Sequence, residues 1–260
     1  MKTKLLMVFM LAAGAAGWTN AAAIEPNPAA AFDFRALQLK ILSPDTRQTI
    51  GSTRFMVSNE GSAEVVTGES TYLDGERDSE SERLSVASPG SAPKLETYDH
   101  SFFNAEGTLH MVDTLDTKSG LASCTRYTDG GKKVRKSQLD VPADSFAGAS
   151  ELMIVVANLR HGVHEITFHA FACVPWPELF TVEASLPNRS EHWPLYPGSL
   201  IRLDMRPDLG ALNFILAPFM PAMDAWFDPN DNWNYVGGEF DRYFRGPHVL
   251  TVRVSPSSTD

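Results

Sequence analysis

Cysteine is nearly absent from this 260-residue chain: there are two, Cys124 and Cys173, and they do not form a C-x-x-C pair. That removes the usual signature of a thiol redox enzyme. Basic residues are also scarce, with 22 Lys and Arg against 32 Asp and Glu, for a formal net charge of -10. An acidic balance of this size argues against nucleic acid as a partner and against docking onto anionic lipid headgroups. No G-x-S-x-G elbow, glycine-rich phosphate loop or H-E-x-x-H pair occurs, so the common serine hydrolase, nucleotide-binding and zinc protease signatures are missing. Nor is there an uninterrupted run of about 20 apolar residues, the length that a membrane-spanning helix needs.

What is present begins with residues 1–23. Lys2 and Lys4 precede an apolar run over residues 5–16, and Ala21, Ala22 and Ala23 supply small residues for cleavage. This pattern predicts a secretory signal peptide. Residues 24–260 then form the expected single β-rich domain. Cleavage takes away the two charges of Lys2 and Lys4, leaving -12. The product is expected to be periplasmic or secreted, with no stable membrane anchor. Export to an oxidising compartment permits a disulfide between Cys124 and Cys173, but spacing alone leaves two separate buried thiols equally open.

Period-two alternation dominates the rest. Leu37, Leu39 and Ile41 alternate with Gln38 and Lys40 before a Ser43-Pro44-Asp45 turn, and Ile201, Leu203 and Met205 alternate with Arg202, Asp204 and Arg206. Asp74-Gly75 and Asp129-Gly130 mark hairpin turns. The acidic, serine-rich stretch at residues 76–85 reads as a solvated hairpin or an edge strand. Residues 150–162 alone carry helical spacing, with Ser150 as N-cap, Leu152, Val155 and Leu159 on the inward face, and Gly162 as terminator. The fold class is therefore mainly β: a curved antiparallel sheet or half-barrel meander with one helix.

This order of elements resembles uncharacterised secreted bacterial β-rich families, related in outline to periplasmic lipid and lipoprotein carriers. The resemblance covers most of residues 32–254 and includes the Leu139-Asp140-Val141-Pro142 stretch before the helix. It implies a half-barrel with a concave apolar surface and a helical lid, and it carries over no functional residue.

Candidate sites follow from composition. The apolar block at residues 212–227 offers Phe214, Leu216, Phe219, Met220, Met223 and Trp226 as ligand-binding residues, because aromatics and flexible methionines accept varied apolar ligands. Pro218 and Pro221 bar a central strand there, and the same residues read more readily as core that plugs the open end of the barrel. Asp228, Asn230, Asn232 and Glu239 have the alternation of a calcium loop, yet Trp233 stands where that loop needs glycine, and a polar hairpin turn explains them as well. Trp233, Tyr235, Phe240, Tyr243 and Phe244 suit either a sugar platform or strand packing. His100 beside Asp99 and His110 near Asp113 are isolated general-base candidates; His161, His164 and His169 do not share a face that could hold a metal. No cofactor or metal is expected. The function indicated is binding of an apolar or amphiphilic small molecule, possibly a lipid, in a concave β surface. The alternatives are a carbohydrate-binding or scaffold protein of the cell envelope and an envelope hydrolase.

Overall fold

A computed structural model describes residues 36–86, 93–186, 190–208, 223–242 and 247–254. The chain first runs as an eight-strand meander: β1 (Ala36–Leu42), β2 (Thr49–Glu60), β3 (Ala63–Tyr72), β4 (Arg77–Ser85), β5 (Lys94–Phe103), β6 (Leu109–Asp116), β7 (Leu121–Thr128) and β8 (Gly131–Gln138). The short β9 (Ser145–Phe146) leads into helix α1 (Ala149–Arg160). A second set follows: β10 (Glu165–Cys173), β11 (Pro177–Ser185), β12 (Glu191–His192), β13 (Ser199–Pro207), β14 (Met223–Asp228), β15 (Asn234–Asp241) and β16 (His248–Arg253). β1 pairs with β16, so the two sets form one sheet in the order β8-β7-β6-β5-β4-β3-β2-β1-β16-β15-β14-β13-β11-β10-β9, with β12 paired to β13 off that path. All pairings are antiparallel except β9 with β10.

A sheet this long must curl to bury its apolar face, because accumulated strand twist prevents a flat arrangement. Here it curls until its ends meet without pairing as strands. β7 and β8 approach β11, β5 approaches β9, and Cys124 on β7 is disulfide-bonded to Cys173 on β10. The bond therefore staples the two ends of the sheet together. It closes a loop of 49 residues in sequence separation, and in the chain-entropy account a loop of that length is worth about 4 kcal/mol.

Helix α1 sits inside this curl. Met153, Ile154, Val155, Val156, Ala157 and Leu159 are all buried, and most share one core with Leu37 and Leu39 of the first strand set and Phe168, Val182, Leu203 and Phe227 of the second. A helix apolar around its whole circumference has to be enclosed. It is thus an interior plug, with Val155 and Leu159 buried as expected and Leu152 half-buried. Its start differs from expectation. The N-cap is Gly148, at φ 53°, and Ser150 lies in the first turn, where its hydroxyl donates to the Ala147 carbonyl at 2.7 Å. Gly162, at φ 77°, follows the C-cap His161. Among the described residues no helix is long and apolar enough to cross a membrane.

One expectation fails outright. The acidic segment is neither a solvated hairpin nor an edge: β4 pairs with β3 and β5 in the interior of the sheet. Its acids occur at Asp78, Glu80 and Glu82, in phase with Leu84, which is fully buried. Period two therefore sends the three carboxyls to the concave face, and the serines and Arg83 to the other.

Candidate functional site

The concave face in front of the α1 N-terminus is built from those carboxyls. Glu82 is completely buried, and both of its oxygens accept from the Ser150 backbone N–H, at 3.1 and 3.2 Å. Glu80 accepts from the Ala149 N–H and Glu151 from the Gly148 N–H. Three glutamates thus satisfy the first three N–H groups of the cap region, where the helix end carries partial positive charge. Glycine is required at the cap. A Cβ at Gly148 would lie 2.7 Å from Glu80 Oε2, 3.0 Å from Glu82 Oε1 and 3.1 Å from Tyr98 Cε2, and its positive φ is strained for any other residue.

Among the described residues, no Lys or Arg pairs with Glu80, Glu82 or Glu151. Burial raises Glu80 and Glu151 to about 8, with nearby Asp78 adding to Glu80 and Glu80 adding to Glu151. Glu82 is pushed well above the ordinary range by burial and then by Glu80. Tyr98 is raised by burial and by the surrounding carboxylates. His100, stacked beside Tyr98 with ring centres 6.4 Å apart, is lowered by burial. The cluster therefore holds protons at neutral pH, and Glu80 Oε1 is buried with no hydrogen-bond partner among the described residues.

Glu80 stands between two adjoining cavities, or lobes, that share four lining residues. The first, about 290 Å³, is walled by apolar side chains including Leu37, Val57, Val66, Leu152, Met205 and Met223. The second, about 240 Å³, is walled by polar groups including Thr53, Ser70, Tyr72, Asp78, His100 and Arg242. Leu39, Phe55, Glu80 and Phe240 line both. In the polar lobe Thr53 and Ser70 bond each other at 3.0 Å, Tyr72 donates to Asp78 at 3.3 Å, and the Arg242 guanidinium covers the Tyr72 ring and pairs with Glu76 at 2.7 Å. An amphipathic space of this kind can take a molecule with an apolar body and a hydrogen-bonding end.

The sequence-derived candidates distribute unevenly over this site. Phe214, Leu216, Phe219 and Met220 lie outside the described residues, as do Tyr243 and Phe244. Met223 lines the apolar lobe. Trp226 does not; it stacks on Trp193 at 4.7 Å in a separate cluster with Leu200 and Val236, because alternation on β14 sends it to the face opposite Ala225 and Phe227. Asp228 accepts from the Asn230 N–H at 2.8 Å and from the Tyr196 hydroxyl at 2.9 Å, while Glu239 lies on β15 opposite Leu250. The calcium-like spacing is thus a polar hairpin turn. Tyr235 is buried and bonded to Thr251 at 2.7 Å, and Trp233 packs half-buried against the core.

Of the histidines, His100 lines the polar lobe, although its neighbour Asp99 points elsewhere by alternation. Asp113 pairs with Arg126 rather than with His110. His169 pairs with Asp144 at 3.0 Å. Among the described residues, one grouping has metal-ligand proximity, Asp113 with Cys124 and Cys173; the disulfide occupies both of its sulfurs.

Sequence reasoning passed over Glu80, Glu82, Glu151 and Gly148. The signal for the first two was the alternation of acids within residues 78–84, in register with Leu84. Glu151 falls three residues after Gly148, the spacing of a capping box.

Fold and site together define a curled β-sheet protein with an internal helix and an amphipathic cavity at the helix N-terminus. No family model matches the chain, and no curated protein does. Among solved structures it is similar to the crystal structure of a β-barrel-like protein of the domain of unknown function DUF1849 from Brucella abortus. Identity is 6%, with 85% of this chain and 95% of that one covered and a TM-score of 0.42.

Proposed function

We propose that the chain is exported and binds an amphiphilic small molecule of the lipid class, the apolar part in the first lobe and the polar end against Glu80 in the second. The observation that carries this reading is that an apolar and a polar cavity adjoin at Glu80, which lines both. Each methylene transferred from water into the apolar lobe is worth about 0.8 kcal/mol, so a short hydrocarbon segment is held without further polar contacts. The unpartnered Glu80 oxygen, on a carboxyl that holds its proton at neutral pH, supplies a hydrogen-bonding group for the polar end of the ligand. Its mechanism is sequestration. Of the aromatic set that suits a sugar platform, Tyr235 is buried, Trp233 and Phe240 are half-buried, and Tyr243 and Phe244 lie outside the described residues.

Native mass spectrometry of the protein purified gently from its own host tests this. An extra mass that organic extraction removes supports it and identifies the ligand. A clean apo mass, together with failure to take up an amphiphilic probe, refutes it.

A further inference from the structure

A third cavity of about 320 Å³ lies at the seam where the disulfide joins the sheet ends, lined by His110, Arg126, Lys133 and Arg135 above Met111, Phe102, Pro175 and the Cys124–Cys173 bond. Among the described residues no Asp or Glu lines it, and the nearby Asp113 carboxylate, within 4.8 Å of the disulfide sulfurs, is paired with Arg126. We propose that this pocket binds a phosphate ester, independently of the amphiphile cavity.

The register of β7 and β8 builds the cationic wall. Lys133 is paired opposite Arg126 and Arg135 opposite Cys124, so alternate residues of β8 enter the pocket while Lys132 and Lys136 take the other face. Lysines on an edge strand ordinarily serve to block strand addition. That role does not require two cations to be turned toward a concave space whose one nearby carboxylate, Asp113, is already paired with Arg126. Arg126 is offset by its ion pair with buried Asp113. Arg135 is oriented without losing its charge: Nη1 donates to the Pro175 carbonyl at 2.9 Å, and the guanidinium lies 4.9 Å from the centre of the Trp176 ring. Lys133 is exposed and makes no ion pair with any described residue. Two uncompensated positive charges remain, which match a phosphate monoester carrying about -1.5 to -2 at neutral pH. Guanidinium donors suit its oxygens, and the apolar floor of Phe102, Met111, Pro175 and the disulfide receives the organic part.

Calorimetric titration at low ionic strength with phenyl phosphate and with inorganic phosphate tests the assignment. Saturable one-to-one binding of phenyl phosphate is expected, at least threefold tighter than inorganic phosphate. Affinity should fall at least tenfold in K133A/R135A and measurably in K133A alone, which removes a side chain without an ion-pair partner and leaves the melting temperature unchanged. K132A/K136A, on the opposite face, should bind as wild type. Absence of saturable binding, equal affinity for the two probes, retention of affinity in K133A/R135A, or an equal loss in K132A/K136A each overturns the proposal.

Discussion

The two halves of the sheet bury the same helix with opposite chemistry. On β10, β11, β13 and β14 the concave face is made of Ile166, Phe168, Val182, Ala184, Leu203 and Phe227, with no ionisable side chain among them. On β4 to β8 it carries Asp78, Glu80, Glu82, His100, Asp113, Arg126, Lys133 and Arg135. The apolar half can be explained by packing alone. The ionisable half cannot, because Glu80 and Glu82 are buried without an ion-pair partner among the described residues, which costs stability that plain apolar residues would not. A fold that needed only a core would repeat the first pattern twice. The lesson is that function is to be sought on β4 to β8 and at the helix end facing them.

The largest effect expected is at the staple between the halves. Cys124→Ser with Cys173→Ser should lower unfolding free energy by about 4 kcal/mol, measured by urea denaturation. Next comes the apolar half: Leu203→Ala, at a site 1% exposed, should cost about 3 kcal/mol. If Leu203→Ala proves nearly neutral, the packing account of that half fails. At the helix end, Gly148→Ala introduces a Cβ into Glu80, Glu82 and Tyr98 at a positive φ and should cost at least about 1 kcal/mol.

A smaller, pH-dependent effect separates the halves most sharply. Glu80 and Glu151 titrate near 8 in the folded chain against an ordinary value of 4.5, so the native state holds extra protons between those limits. Their contribution to stability is fully present below pH 4.5 and is lost as pH rises through about 8. Melting temperature should therefore fall from pH 6 to pH 9, and Glu80→Gln should flatten that fall. A slope identical in wild type and Glu80→Gln would remove Glu80 from the explanation.

Most of the sheet was legible in the sequence because alternation of apolar and polar residues reports directly on which face is buried. Leu37, Leu39 and Ile41, and Leu203 and Met205, follow that rule, whereas Ile201 is only half-buried and Leu200 is fully buried on the other face. β4 inverts it. Asp78, Glu80 and Glu82 alternate correctly, but a reading that equates charge with solvent places them outside, and only the partners supplied by residues 148–151, some 70 positions later, show why they are inside. Trp226 failed for a different reason. Composition marks an apolar block, whereas a strand divides it between two faces, sending Met223 to the cavity and Trp226 to the Trp193 stack. The pairing of Cys124 with Cys173 was undecidable from spacing, since it depends on how far the sheet curls.

The most direct test of the central claim is fluorescence titration with N-phenyl-1-naphthylamine, an apolar probe with one N–H donor, on wild type and Val57→Trp, which fills the apolar lobe. Saturable one-to-one binding in wild type and at least a tenfold loss in Val57→Trp, at a similar melting temperature, is the expected result. No saturable binding in wild type, or equal binding by both proteins, would contradict the account.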